Sequence, residues 1–517
     1  MATVDETRQQ ATTNGAAGGA TIAVENPATG ETITHVPDLG PEQVAELAQK
    51  ARDAQPGWQA LGFEGRGQVM LDMRKWLIEN RDRMVQTIVE ETGKTFEDAQ
   101  NLELFYTADS LKFWAKNAQK YLADERIRSR SVFVLGRKLY LRYHPVGVVG
   151  VIGPWNYPLS NSFGDCVPAL MAGNSVILKP SEVTPLTSLF VAEGLRAAGL
   201  PEGVFQVATG AGGTGAALVD EANMVHFTGS TATGKKVMTR AAESLTPVSL
   251  ELGGKDPMIV LRDANLERAA NSAVYYGMAN GGQTCIAVER VYVEEPVYDE
   301  FVNKVVEKTR ALRQGPCSSI GTVDVGAVTF ERQAQIIEDH VSEAREKGAK
   351  ILTGGKLADR PGRFYEPTII TEVDHSMKVM TEETFGPVLP IMKVRDADEG
   401  VRLANDSRYG LNSSVFTKDI ARGREIADRL TAGSTTVNDC DINYAALELP
   451  FGGWNESGIG VRHGAPGIRK YTKSHGVVVT RIAPAKDIHM FPYSPRVTRL
   501  LERILVWLHG RDPKPKR

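Results

Sequence analysis

At 517 residues the chain has room for two to four domains and several cores. A hydrophobic share of 42%, a charged share of 24% and a net charge of −3 are ordinary globular values, and they give no case for nucleic acid as a partner. Four cysteines without a pairing pattern (Cys166, Cys285, Cys317, Cys440) argue against a disulfide scaffold and for a reducing, cytoplasmic setting, and no apolar run reaches the ~18 residues of a membrane span.

Residues 1–21 are polar, lack both a basic start and an apolar core, and read as a disordered tail, not a secretory signal. Order should begin near Ile22, with a strand, a turn at Asn26-Pro27-Ala28-Thr29-Gly30 and a second strand. Helices are predicted over Pro41–Gln55, Gly67–Thr92 and Phe96–Tyr121 from their apolar periodicity. Ser131–Tyr143 alternates and predicts an antiparallel hairpin, apart from the later strands and suited to oligomerisation.

From Pro145 the pattern becomes continuous apolar runs, as in strands buried on both faces: Val146–Ile152, Asn174–Leu178, Val204–Ala208, Met224–Phe227, Val248–Leu252 and Met258–Leu261. Helices intervene, so the fold class is α/β: a doubly wound parallel sheet of the nucleotide-binding type. A helix over Leu266–Asn280 leads to Cys285, and Arg290–Val293 opens a second α/β unit of similar size. Two such units leave a cleft, a usual place for chemistry.

Several strand ends carry candidate chemistry. Cys285 follows Asn280-Gly281-Gly282-Gln283-Thr284, where two glycines permit a positive φ or a close approach. The thiol is either a nucleophile or a buried structural cysteine. Glu251 is a carboxyl among apolar residues, and burial would raise its pKa into the range of a general base. Asn156, in Gly153-Pro154-Trp155-Asn156-Tyr157-Pro158, is either an oxyanion donor or a turn former. Lys179 and Glu182 end another strand and could hold a ribose. Phe227-Thr228-Gly229-Ser230 joins a strand to a helix whose N-terminus can bind phosphate, although its glycines match no standard fingerprint.

Together these motifs, with Glu383-Thr384-Phe385-Gly386-Pro387 and Pro450-Phe451-Gly452-Gly453, appear in an order that resembles the NAD(P)-dependent aldehyde dehydrogenase superfamily from about Asn26 to Val479. The resemblance implies two doubly wound α/β domains plus an antiparallel oligomerisation hairpin. Its boundaries would be 22–127 with 147–254 for the cofactor domain, 255–472 for the catalytic domain, and 128–146 with 473–485 for the oligomerisation strands. It implies that Cys285 attacks the aldehyde, that Asn156 and the Cys285 N–H hold the oxyanion, and that Glu251 activates the water that hydrolyses the thioester. Lys179 and Glu182 would hold the adenine ribose, Gly229 and Ser230 the pyrophosphate, and Glu383 the nicotinamide ribose with Phe385 near the ring. Ile152, Pro154, Trp155, Ser181, Gly210 and Gly253 complete the implied cofactor site, with no metal. Glu182 favours NAD because a carboxylate repels a 2′-phosphate, with NADP use still open. The presence of Glu251 argues against a coenzyme-A-acylating enzyme.

The expected partners are a small-molecule aldehyde and further copies of the chain, as a homodimer or homotetramer. By the resemblance Asn161, Phe163 and Gly164 line the substrate tunnel. A glycine at 164, where semialdehyde-acid enzymes carry an arginine, suggests a bulky or medium- to long-chain aldehyde. The alternatives are a succinate-semialdehyde type, with an arginine from another loop, and a membrane-surface fatty aldehyde dehydrogenase. The usual lysine near Asn455 is missing. Residues 486–517 form a C-terminal extension similar to the fatty-aldehyde branch: Val497, Leu500, Leu501, Ile504, Leu505 and Leu508 make one apolar helical face, with Arg496, Arg499 and Arg503 elsewhere. That helix either packs on protein or lies on a membrane surface, a peripheral contact.

Overall fold

The computed structural model describes residues 19–510 except 130, 132, 133, 135 and 482. Its contacts divide the chain into two units, one of residues up to 122 with 144–473, the other of 123–143 with 474 onward. Most of the expected tail, and the basic end Lys514-Pro515-Lys516-Arg517, lie outside the described residues.

In the first unit, strands β1 (Thr21–Glu25) and β2 (Thr32–Pro37) form an antiparallel pair ahead of the helices. The predicted helix over 67–92 is two helices, Gly62–Glu79 and Arg81–Thr92, meeting at Asn80. Apolar periodicity runs through both, which hides the break. The predicted helix over 96–121 is likewise interrupted by a wider turn at Ala99–Leu104 before Phe105–Leu122.

The first sheet has the order β17-β9-β8-β5-β6-β7. Its strands are β5 (Val148–Ile152), β6 (Ser175–Lys179), β7 (Phe205–Val207), β8 (Met224–Thr228), β9 (Val248–Glu251) and β17 (Gly458–Ile459). Every residue of β5, β6 and β8 is buried, which is why these runs are mainly apolar instead of alternating. The chain winds outward from β5 through β6 to β7, then returns to the other side of β5 for β8 and β9. The switch point between β5 and β8 is where such sheets bind ligands, outside the carboxyl ends of the strands.

The second sheet has the order β12-β13-β14-β11-β10-β15-β16, with β10 (Asp256–Val260), β11 (Val288–Glu294) and β14 (Val388–Val394) at its centre, β12 (Lys350–Thr353) and β13 (Thr368–Thr371) toward one edge and β16 (Thr436–Val437) at the other. The run at 258–261, expected in the first sheet, belongs here: β10 pairs in parallel with β11 and with β15 (Ser414–Phe416). An apolar run directly after β9 does not reveal which sheet it joins. In the other direction, β17 crosses back to pair antiparallel with β9.

The second unit contains a three-stranded sheet, β18-β4-β3, of β3 (Glu125–Ile127), β4 (Arg137–Pro145) and β18 (Thr472–Thr480). The expected hairpin within 131–143 is therefore corrected. Its partners are β3, antiparallel with Glu125 opposite Leu141, and β18 from the far end of the chain. Part of the expected first arm falls outside the described residues. Helix Pro495–His509 has no buried residue.

Candidate active site

Helix Leu266–Met278 ends two residues earlier than expected, and the backbone turns left-handed: φ is +53° at Asn280, +63° at Gly281 and +69° at Gly282. Gly282 cannot be otherwise, because a Cβ there would overlap the carbonyl of Gly386 in the Glu383–Pro387 loop. The turn is fastened from three sides. Asp98 Oδ2 accepts the Asn280 N–H at 3.1 Å, the Gln283 amide donates to the Asn280 carbonyl at 2.8 Å, and Gln283 Oε1 accepts from Thr329 N at 2.9 Å. Cys285 emerges half-buried, its side chain packed with Ile286, Leu411, Phe451 and Tyr444. Burial pushes the thiol up to about 12, with Arg462 opposing, so it is protonated at neutral pH.

Asn156 follows β5 and reaches the same turn: its Nδ2 donates to the Gln283 carbonyl at 2.9 Å. Its neighbour Tyr157 shares a 2.8 Å hydrogen bond with Thr284 Oγ1. Glu251 ends β9 opposite Thr228 of β8, is 4% exposed, and its Oε1 has no hydrogen-bond partner. Burial raises its carboxyl to about 7, against the pull of Arg462 and Lys470, as its apolar setting in the sequence implies. Cys285 lies in the electrostatic field of Glu251, Glu383 and Arg462, so the structure brings the candidate nucleophile and base together.

The cofactor candidates surround the switch point. Lys179 Nζ stands 3.1 Å from Glu182 Oε2, the lysine side chain 5% exposed and the carboxylate 45% exposed. Gly229 N–H donates to the Glu251 carbonyl at 3.1 Å, and Ser230 caps helix Thr231–Glu243 by accepting from Thr233 N. Glu383 Oε1 accepts from Gly254 N at 3.1 Å, and a Cβ on Gly253 would overlap the same carboxylate. Burial raises Glu383 to about 8. Phe385, at φ +53°, meets Trp155 edge to face with centroids 5.2 Å apart. Ile152 closes β5, the Trp155 carbonyl after Pro154 accepts from Thr184 Oγ1, Ser181 Oγ accepts from Val183 N, and Gly210 abuts Thr214 and Asp38. A polar pair beyond β6, a capped helix N-terminus beyond β8 and a carboxylate over a glycine pair fit a dinucleotide. Among the described residues no cluster of His, Cys, Asp or Glu could hold a metal ion.

Several supporting residues give little signal in the sequence. Lys94 and Glu103 form a fully buried ion pair at 2.6 Å. Lys94 also donates to the Asn156 carbonyl at 2.8 Å, and Glu103 accepts from Leu159 and Ser160 N–H groups. Glu289, paired with Lys255 at 2.6 Å, accepts the N–H groups of Thr384 and Phe385 and so fixes the loop bearing Glu383. The backbone groups they hold lie 56 to 96 residues away, so each reads locally as a solvated charge. Where the expected lysine near Asn455 is missing, Glu456 pairs with Lys235 at 2.9 Å.

Against known proteins, residues 14–477 match the model of the aldehyde dehydrogenase family. The chain belongs to the aldehyde dehydrogenase family. It is 40% identical over 462 residues to a putative NADP-dependent succinate-semialdehyde dehydrogenase of Mycolicibacterium smegmatis, covering 89% of each chain. It is 37% identical over 493 residues to a 4,4'-diapolycopene aldehyde oxidase of a Methylomonas species, covering 95% of this chain and 92% of the relative. The structure of an aldehyde dehydrogenase from Bacillus cereus in complex with NAD+ superposes with a TM-score of 0.86 at 33% identity, covering 90% of this chain and 94% of that one. The protein is thus an oxidoreductase that acts on aldehydes with a nicotinamide dinucleotide, on an α/β fold.

Proposed function

We propose that the enzyme converts bulky or medium- to long-chain apolar aldehydes to carboxylic acids through a thioester on Cys285, with Glu251 as the base of its hydrolysis. The observation that carries this is a half-buried thiol packed among apolar and aromatic side chains, inside the field of a carboxyl raised to about 7. The Cys285 sulfur bonds to the aldehyde carbon as its proton passes to solvent water, and the oxyanion is held by Asn156 Nδ2 and the Cys285 N–H. When bound, NAD(P)+ supplies the hydride acceptor. Glu251 then takes a proton from water while the water oxygen bonds to the thioester carbon. The carbon–sulfur bond breaks, the acid leaves and the thiolate returns.

Lys179 and Glu182 are the proposed ribose partners, Gly229 and Ser230 the phosphate end, and Glu383 with Phe385 the nicotinamide end. The exposed Glu182 carboxylate supports NAD over NADP.

The apolar side chains packed with Cys285 support an apolar substrate. Gly164 leaves space against Tyr106, and Phe163 is fully buried. Asn161 Oδ1 is engaged by Tyr444 OH at 2.5 Å and Arg462 Nη1 at 2.8 Å. One observation favours a succinate-semialdehyde type: Arg462 is an arginine from another loop beside the site, and a relative carries that activity in its name. Its charge, however, is already met by Asp165 at 2.9 Å. In a series of aldehydes assayed with both cofactors, NADH formation is expected to favour long apolar members over succinate semialdehyde by about tenfold or more. Glu182→Ser should narrow the NAD-over-NADP preference; a preference for the semialdehyde acid would overturn the substrate assignment.

Helix Pro495–His509 leaves Leu500, Leu505 and Trp507 between 47% and 72% exposed, with Arg496, Arg499 and Arg503 beside this face. This supports a peripheral contact with an anionic membrane surface. No helix among the described residues is long and apolar enough to cross a membrane. Full-length enzyme is expected to co-sediment with anionic vesicles, and enzyme truncated before Arg496 is not; equal sedimentation of both would remove the membrane role. The exposed edge of β18 supports assembly as a homodimer or homotetramer.

A further inference from the structure

Behind Glu251 lies a buried cluster of charge that the steps above do not use. Asp165, on helix Gly164–Met171, is 5% exposed. Its Oδ2 stands 2.9 Å from Arg462 Nη2 and 2.8 Å from His226 Nε2. The other ring nitrogen of His226 is 3.2 Å from Lys470 Nζ, which also reaches Ser249 Oγ at 3.3 Å. Arg462 Nη1 donates to Asn161 and to Tyr444 OH, and Nη2 donates to Thr228 Oγ1 at 2.5 Å. Thr228 pairs directly opposite Glu251, and Ser249 lies two residues before it on β9. The cluster therefore grips the strand that carries the base and the strand beside it. Within it Arg462 Nε is buried without a hydrogen-bond partner, as is Glu251 Oε1. Leaving a buried donor and a buried acceptor unmatched costs stability, so the arrangement calls for another explanation.

We propose that Arg462, anchored by Asp165, is a positioning residue whose charge keeps Glu251 ionised for deacylation, and that Asp165 limits how much of that charge Glu251 feels. This rests on Glu251 being the deacylating base. The groups that face Glu251 are Arg462 and Lys470 as cations, Asp165 as an anion, the Cys285 thiol across the site and the Tyr471 phenol. Burial is the largest influence and drives Glu251 up; Arg462 and then Lys470 hold it down, and Asp165 works with burial. Burial is the largest single influence on the Arg462 guanidinium and lowers it, but Asp165, Tyr444 and Glu251 together more than offset it, so Arg462 stays charged. Burial lowers Lys470 to about 8 and His226 to about 4, so the imidazole is neutral near pH 7 and Arg462 is the cation that does not titrate.

The sign follows. Without Arg462, burial and Asp165 are opposed by Lys470 alone, and Glu251 gives up its proton only at higher pH. Without the Asp165 charge, Arg462 acts on Glu251 undiminished, and the proton is lost at lower pH. Two partners of one ion pair should thus shift the same limb in opposite directions, which general damage to packing would not do.

The test follows the steady rate of NADH formation after the acylation burst, in the full-length enzyme, as a function of pH. Wild-type deacylation is expected to rise through about pH 7. Arg462→Gln should move that limb up by about one pH unit, Asp165→Asn should move it down by a similar amount, and Arg462→Lys should restore it toward wild type. The initial burst reports an intact acylation site in each. Limbs that stay at the wild-type position, or that shift the same way in Arg462→Gln and Asp165→Asn, would overturn the proposal. If Arg462→Gln does not fold, an unmoved limb in Asp165→Asn overturns it alone, and a downward shift supports it. Glu251→Gln run alongside separates the two layers: full steady turnover in that variant would refute the base assignment itself, not the part played by Arg462.

Discussion

Cys285→Ala is expected to lower kcat by a factor of about ten thousand or more while NAD affinity changes by no more than a few-fold. The size follows from chemistry that has no substitute. Without the sulfur there is no thiohemiacetal and no thioester, and the remaining groups can only bind the reactants. Binding should survive because the turn does not depend on the thiol. Asn280, Gly281 and Gly282 hold their left-handed conformation through bonds to Asp98 and Gln283 and through the close approach of Gly282 to Gly386. Alanine at 285 removes one sulfur from a cluster with Ile286, Leu411, Phe451 and Tyr444 and leaves those bonds intact. Stopped-flow NADH absorbance with intrinsic-fluorescence titration of NAD checks both halves. Residual turnover within tenfold of wild type would remove Cys285 from the mechanism.

Glu251→Gln is expected to separate the two steps. Glutamine matches the carboxyl in shape but cannot take a proton from water, so the steady rate should fall by about a hundred- to ten-thousand-fold. A burst of NADH close to one equivalent per site should remain. The wild-type position of the group matters here. At about 7 the carboxyl is half ionised near neutrality, so deacylation is lost as pH falls through that value and is full above it. An ordinary surface glutamate would titrate near 4.3 and leave deacylation flat across the neutral range. In Glu251→Gln the limb near 7 should vanish. Loss of burst and steady rate in equal measure would mean that Glu251 acts before the thioester forms.

The candidate site residues were more legible in the sequence than the groups that support them. Cys285, Glu251 and Asn156 each follow a local signal, a glycine turn or a buried strand ending on a polar residue, and the structure joins all three. The continuous apolar runs at β5, β6 and β8 read correctly as buried parallel strands. What was missed is long-range. Lys94 meets the carbonyl of Asn156 from 62 residues away, and Asn161 meets Arg462 from 301 residues away. A charged residue in a helix or loop gives no local hint that it will be buried against such a partner. The same reasoning covers the strand at 256–260, whose sheet is chosen by its neighbours β11 and β15 and not by its own sequence. Asn80 divided a helix whose apolar rhythm continued on both sides.

The central claim is a covalent acyl group on Cys285 that Glu251 removes. It is tested most directly by mass spectrometry of Glu251→Gln enzyme quenched in acid after mixing with NAD and an aldehyde. The account expects the protein mass to rise by that of the acyl group, the addition to map to the peptide containing Cys285, and wild type quenched at the same time to carry far less. An unmodified Cys285 peptide after a full burst of NADH would contradict it.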